Sequence, residues 1–392
     1  MVEPATAATL GVAALASLFM AWSIGAGSSG STPFAPAVGA NAISVMRAGF
    51  VVGVLGFAGA VLQGANVSEA VGNELIEGVS LSPTAATVGL LIAAALVAAG
   101  VFAGYPIATA FTVTGAVVGV GLAMGGDPAW GKYVEIVSLW VLTPFVGGGV
   151  AFGTATLLRD PRAPERITVP ALGALVAAIV ANLEFSVLGP GDAAGTIAGS
   201  VGNSAVEMAL VSAAIGALAA LVLAREVARD ADRGQRRFLL VLGGLVAFSA
   251  GGSQVGLAIG PLLPLFSDTV GGVAVPLSGL LVGGGIGLLL GSWTGAPRMI
   301  KALSQDYSSL GPRRSIAALI PAFAIAQTAV LLGVPVSFNE IIVSTIIGSG
   351  FAAESGGVDS RKMAFTVLAW VGSLVLALAA GYAGLLAVSA AA

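Results

Sequence analysis

The chain has 392 residues, 57% hydrophobic and only 9% charged, with a net charge of −3. That much apolar surface exceeds what a soluble domain needs and marks a polytopic membrane protein. With no cysteine and no histidine, disulfides, thiol catalysis, Cys-ligated metal and the usual proton shuttle are excluded, so proton traffic must use carboxylates or water. No basic tail or patch of the sort nucleic acid requires is present, which argues against a nucleic-acid partner.

The first helix is expected at residues 5–24, a run long enough to span the bilayer and therefore not read as a cleaved signal. Residues 24–40 (IGAGSSGSTPFAPAVGA) then carry glycines, hydroxyls and prolines where an apolar span should still be running. A second apolar run covers 42–63, and a polar loop with Glu69, Glu74 and Glu77 leads to Pro83. Further spans are expected at 83–103, 106–125, 134–157, 168–188 and 201–224. The second half opens on a broken segment near 238–262, within which residues 248–264 (FSAGGSQVGLAIGPLLP) repeat the glycine, hydroxyl and proline pattern. Spans near 272–293, 315–332, 336–350 and 363–389 complete it.

Backbone at membrane depth must satisfy its own hydrogen bonds, so a Gly/Pro break is tolerated only against protein or a water-filled cavity, and such a break is a candidate binding site. Basic residues test the topology, because cytoplasmic loops are enriched in Lys and Arg. With the N-terminus outside and the spans alternating, every one of the 16 basic residues except Lys132 falls on the inner side. The acidic loops at Glu69 to Glu77 and around Asp192 fall outside. Twelve spans with both termini outside satisfy this count, and they turn the second half over relative to the first. The expected fold is an all-α membrane protein of about twelve transmembrane segments in two inverted repeats with broken or re-entrant helices. The first repeat takes residues 1–157, connecting helices and a cytoplasmic linker take 158–236, and the second repeat takes 237–392. The Arg-rich stretch 225–237, interleaved with Glu226, Asp230 and Asp232, reads as a solvated linker.

Two more stretches correspond across the halves: residues 104–119 (GYPIATAFTVTGAVVG) and 333–348 (GVPVSFNEIIVSTIIG). Both read Gly-x-Pro, a small polar cluster, then an apolar helix with glycine and hydroxyls. A proline in the first turn beside hydroxyls suits a helix that starts inside the protein, its free N–H groups facing a ligand. The helix dipole favours negative charge there. Four such ends near the midplane would hold a small oxyanion without an arginine.

These stretches, together with Ala258-Ile259-Gly260-Pro261 and the echoes at 59–67 and 295–300, resemble the inorganic phosphate transporter (PiT) family. In that family each inverted repeat carries a GANDVANA-like break followed by a G-L-P-V-S-T-T-H helix start. The resemblance implies an ion-coupled symporter of phosphate working by alternating access. The hydroxyl-and-glycine form of the first break looks like the family's sulfate permease branch, which leaves sulfate as the alternative substrate. The anion site it implies comprises Ser28, Ser29, Ser31 and Thr32 in the first break, Ser253 and Gln254 in the second, and Thr109, Ser337 and Asn339 at the helix starts. The family's Asn-Asp pair reads Ser28-Ser29 in one repeat and Ser253-Gln254 in the other, so the acidic residues expected to help hold sodium are missing. Glu340, where the family has histidine, is the carboxylate expected well inside a span, and with Gln254 it is the candidate site for a coupling proton or sodium ion. No other cofactor is expected. The implied partners are the anion, the lipid bilayer of the cell membrane and, compatibly, a second copy in a homodimer. A channel-like or sensory protein that kept the fold after losing its coupling residues is the alternative of another class. An enzyme is disfavoured, since no nucleophile–base pair, metal set or nucleotide loop is present. Gln63 and Gln327 read as interhelical hydrogen-bonders, and Trp22, Trp140 and Trp370 as interfacial or packing residues.

Overall fold

The computed structural model describes residues 4–185, 188, 195–267, 275–305, 307, 310–352 and 360–391. It is nearly all helical. The first half runs through α1 (Pro4–Gly27), a turn at 28–34, α2 (Ala35–Gly39), α3 (Val45–Gln63), α4 (Ala65–Asn73), α5 (Pro83–Ala103), α6 (Thr109–Ala123) and α7 (Trp130–Leu157). Three helices connect the halves: α8 (Glu165–Ala181), α9 (Ile197–Val201) and α10 (Ala205–Arg229). The second half repeats the order of long and short elements with α11 (Ala231–Ile259), a 3-10 turn (Gly260–Leu262), α12 (Leu263–Ser267), α13 (Leu277–Thr294), α14 (Ala296–Gln305), α15 (Pro312–Leu331), α16 (Phe338–Phe351) and α17 (Ser360–Ala391). Two antiparallel pairs of two-residue strands are the only strands among the described residues, Ile76–Glu77 with Asp127–Pro128 and Glu184–Phe185 with Gly195–Thr196.

The helix boundaries follow local chemistry. Ser82 caps α5 by accepting from the Ala85 N–H, with Pro83 in the first turn. Ser204 and Glu207 close a reciprocal capping box at the start of α10, and Asp230 accepts from the Arg233 N–H to start α11. Gly104 and Gly333, which end α5 and follow α15, sit at φ +74 and +61. That left-handed conformation turns the chain sharply, and only glycine adopts it freely.

Each of the twelve expected spans falls on a helix. Among the described residues nine helices are long and apolar enough to cross a membrane, while α6 and α16 are shorter apolar helices and α8 has 17 residues. The acidic loop around Asp192 lies outside the described residues.

Helix contacts come in matched pairs: α1 lies against α13 and α5 while α11 lies against α3 and α15, and α6 lies against α17 while α7 lies against α16. Several of these seams are backbone on backbone. A Cβ on Gly251 would collide with the Gly56 carbonyl of α3, and one on Gly59 with the Phe248 carbonyl of α11. Gly25 meets the Leu288 carbonyl, Gly115 the Leu374 carbonyl and Gly348 the Gly148 carbonyl in the same way. Small residues at such seams let helices approach where lipid offers no hydrophobic drive.

This packing moves the second break from its expected place. Residues 24–40 do break the chain, with α1 ending at Gly27 and turns running to Phe34. Residues 248–259, by contrast, remain helical, and the interruption is confined to Gly260-Pro261-Leu262. The glycines at 251, 252 and 256 face Gly56, Gln63 and Val67–Ser68, so they serve close approach and not chain reversal.

The arginine-bearing helix ends are tied to neighbouring chain. Arg236 donates to the Ala42 carbonyl at 2.9 Å, Arg298 to Phe102 at 3.1 Å and Gln235 to Glu165 at 2.7 Å. Arg237 pairs with Glu226 and Arg313 with Glu165. Lys132, the one basic residue expected on the opposite side, pairs with Glu74 at 2.9 Å and Glu135 at 3.1 Å.

Candidate functional site

Two elbows frame the candidate site. Residues 104–108 drop from the end of α5 to the start of α6, and residues 332–337 drop from the end of α15 to the start of α16. Each begins on or near a left-handed glycine and passes through Gly-x-Pro, so the amino ends of α6 and α16 start inside the protein. They meet the carboxyl end of α1 and the last turns of α11 around Gln254. Two helix amino ends therefore converge, not four: α1 contributes its carboxyl end, and α11 passes by as continuous helix.

Gln254 of α11 is the hub. Its Oε1 accepts from Thr109 Oγ1 at 2.7 Å and from Ser28 Oγ at 3.1 Å, and its Nε2 donates to the Val336 carbonyl at 2.6 Å. Asn339, in the first turn of α16, donates through Nδ2 to the Ile107 carbonyl at 2.6 Å and the Gly27 carbonyl at 3.0 Å. Ser28, Thr109, Ser253, Gln254 and Ser337 are fully buried and Asn339 is 1% exposed. The network thus joins the first break, both elbows and α11 with neutral groups.

Three of its polar atoms have no partner: Ser253 Oγ, Ser337 Oγ and Asn339 Oδ1. Leaving a buried polar atom unpaired costs about 1–3 kcal/mol, so each of these three atoms is a candidate ligand contact. Ser337 occupies the N-cap of α16 but makes no capping bond, and Thr109 spends its hydroxyl on Gln254; neither merely caps its helix. Ser31 and Thr32 donate their hydroxyl protons to the Ser28 carbonyl, at 3.2 and 3.0 Å, and hold the turn. Ser29 is buried beside them.

Glu340 is 2% exposed, and its Oε2 has no partner. It lines an apolar cavity of about 800 Å³ walled by α7, α16 and α17, with Phe111, Trp140 and Trp370 among the lining side chains. A second cavity, of about 480 Å³, lies between α3, α8 and α15 and does not reach the hub. Its floor carries Gln63 and Gln327, where Gln327 Nε2 donates to Gln63 Oε1 at 3.1 Å and to Ser249 Oγ at 2.6 Å, an interhelical tie as expected.

The elbows have two anchors among the tryptophans expected to be interfacial or packing residues. Trp140 Nε1 donates to the Pro335 carbonyl and Trp370 Nε1 to the Pro106 carbonyl, each at 2.8 Å. Both indoles are 5% exposed, so neither is interfacial. The available signal was their matched register, each the eleventh residue of its helix.

Comparison with known proteins follows the same lines. Residues 24–381 match the family described as "Phosphate transporter family". A protein of Thermococcus kodakarensis described as "Putative phosphate permease" is 26% identical over 90% of each chain. The "Inorganic phosphate transporter 2-1, chloroplastic" of Arabidopsis thaliana is also 26% identical, over 90% of this chain and 68% of its own. A solved structure described as "The sodium-dependent phosphate transporter" superposes with a TM-score of 0.81 at 24% identity, covering 98% of this chain and 99% of that one.

Proposed function

The chain belongs to the phosphate transporter family, and on that premise we propose that it carries inorganic phosphate across the cell membrane as an ion-coupled secondary transporter working by alternating access. The observation that carries this reading is the orphaned set at the hub. Ser337 offers a hydroxyl donor at the amino end of α16, which favours an anion, and Ser253, next to Gln254 in the chain, offers a second. Asn339 Oδ1, its Nδ2 already committed to two carbonyls, offers an acceptor. Phosphate at neutral pH both accepts and donates hydrogen bonds, whereas sulfate only accepts. An unpaired acceptor beside unpaired donors therefore favours phosphate.

The two halves, with their matched helix order and packing, form inverted repeats, and the arginine-bearing ends face the cytoplasm with both termini outside. Glu340 takes the coupling ion. Glu340 is 2% exposed and its Oε2 has no partner. A lone carboxyl in an apolar cavity is better matched to a proton. The solved structure with this fold is described as sodium-dependent, so the test carries both ions. Purified protein in liposomes should accumulate radiolabelled phosphate when a pH gradient is imposed, more than when a sodium gradient is, and a hundredfold excess of sulfate should not compete. Uptake of sulfate in place of phosphate, or of neither, would overturn this reading.

A further inference from the structure

Each elbow crosses the protein interior as irregular backbone, and such carbonyls must find donors outside their own helix. The two elbows solve this identically. In the first, consecutive carbonyls are taken by Trp370 Nε1 (Pro106, 2.8 Å) and Asn339 Nδ2 (Ile107, 2.6 Å). In the second they are taken by Trp140 Nε1 (Pro335, 2.8 Å) and Gln254 Nε2 (Val336, 2.6 Å). Each tryptophan comes from the long helix seamed to the elbow's own inner helix: α17 to α6 through Gly115, and α7 to α16 through Gly348. The Trp140 ring also stacks on Phe111 of α6, with centroids 3.8 Å apart.

We propose that Trp140 and Trp370 are positioning residues of the anion site. Each indole N–H pins one elbow to the long helix already seamed to it, so that the amino ends of α6 and α16 reach the anion in fixed geometry. The left-handed glycines, Gly104 and Gly333, stand just outside the pinned segments. The elbow and its helices then move as one piece, with flexure confined to the glycine. The inference rests on the transport reading for its substrate, but the pinning itself is independent of what is carried.

The chain has no cysteine, which makes the test clean. A single cysteine is placed on the first elbow (Ala108→Cys) or the second (Val334→Cys), both fully buried positions, and its reaction with a soluble maleimide is timed. Trp370→Phe should raise labelling at position 108 about fivefold, the population shift expected from one lost hydrogen bond, and leave position 334 unchanged. Trp140→Phe should do the reverse. Phosphate uptake by either variant, without the added cysteine, should show a half-saturation concentration raised by a similar factor at a maximal rate within about twofold of the parent. Benzothienylalanine at 140 or 370, which keeps the fused ring and removes only the donor, should behave like phenylalanine. Labelling that rises at both elbows or at neither, or a benzothienyl variant indistinguishable from tryptophan, would reduce both residues to packing and overturn the proposal. If no phosphate is carried at all, the labelling still decides the pinning, and the transport reading alone fails.

Discussion

The Thr109–Gln254 bond joins the first elbow's helix to α11 and invites a double-mutant cycle. Thr109→Val keeps the side-chain shape and deletes one donor. Gln254 Oε1 still accepts from Ser28 at 3.1 Å, so the loss should be about 1 kcal/mol. Gln254→Met keeps length and deletes three bonds at once. The Ser28 and Thr109 hydroxyls lose their shared acceptor and the fixed Val336 carbonyl is left bare, so the cost should be about 3 kcal/mol. The Thr109–Gln254 bond is already among the three that Gln254→Met deletes, so the double variant loses it only once. The total should then be about 3 and not 4 kcal/mol, leaving a coupling of about 1 kcal/mol. Unfolding of the four proteins in mixed micelles with rising SDS, followed by tryptophan fluorescence, measures each term. Additivity within about 0.3 kcal/mol would mean that this buried bond contributes nothing and that Gln254 is not the hub.

Glu340→Gln should abolish the stimulation of phosphate uptake by an imposed pH gradient while leaving phosphate exchange at equal pH within about twofold; retained stimulation would remove Glu340 from coupling. Gly251→Val forces a side chain into the Gly56 carbonyl and should lower stability in the SDS titration by at least about 1–3 kcal/mol, with little folded protein recovered. Gln327→Leu breaks ties to Gln63 and Ser249 away from the hub. It should cost about 1–2 kcal/mol of stability without moving the half-saturation concentration for phosphate, and a large shift in that constant would extend the site into the second cavity.

The composition and the periodic apolar runs made the helices legible, because burial in lipid leaves a coarse, redundant signal. The elbows were legible too, since Gly-x-Pro at 104–106 and 333–335 states a turn and a helix start in three residues. The second break was misplaced for a physical reason: glycine marks both chain reversal and close helix contact, and only the position of α3 tells Gly251 and Gly252 from a break. The residues named from the sequence, Ser28, Thr109, Ser253, Gln254, Ser337 and Asn339, are all buried, whereas the bonds of Ser31 and Thr32 to the Ser28 carbonyl depend on which way the turn at 28–34 folds. The bonds of Trp140 and Trp370 were not legible because their partners are backbone carbonyls 195 and 264 residues away in sequence, which no local pattern records.

The glycine seams bear on how this protein changes shape. Where two backbones touch with nothing between them, neither helix can roll or slip a turn without driving a carbonyl into its neighbour. α3 and α11 are therefore compelled to travel together, as are α1 with α13, α6 with α17 and α7 with α16. Compliance is left to boundaries cushioned by larger side chains, so the segments that look softest in the sequence are its stiffest struts.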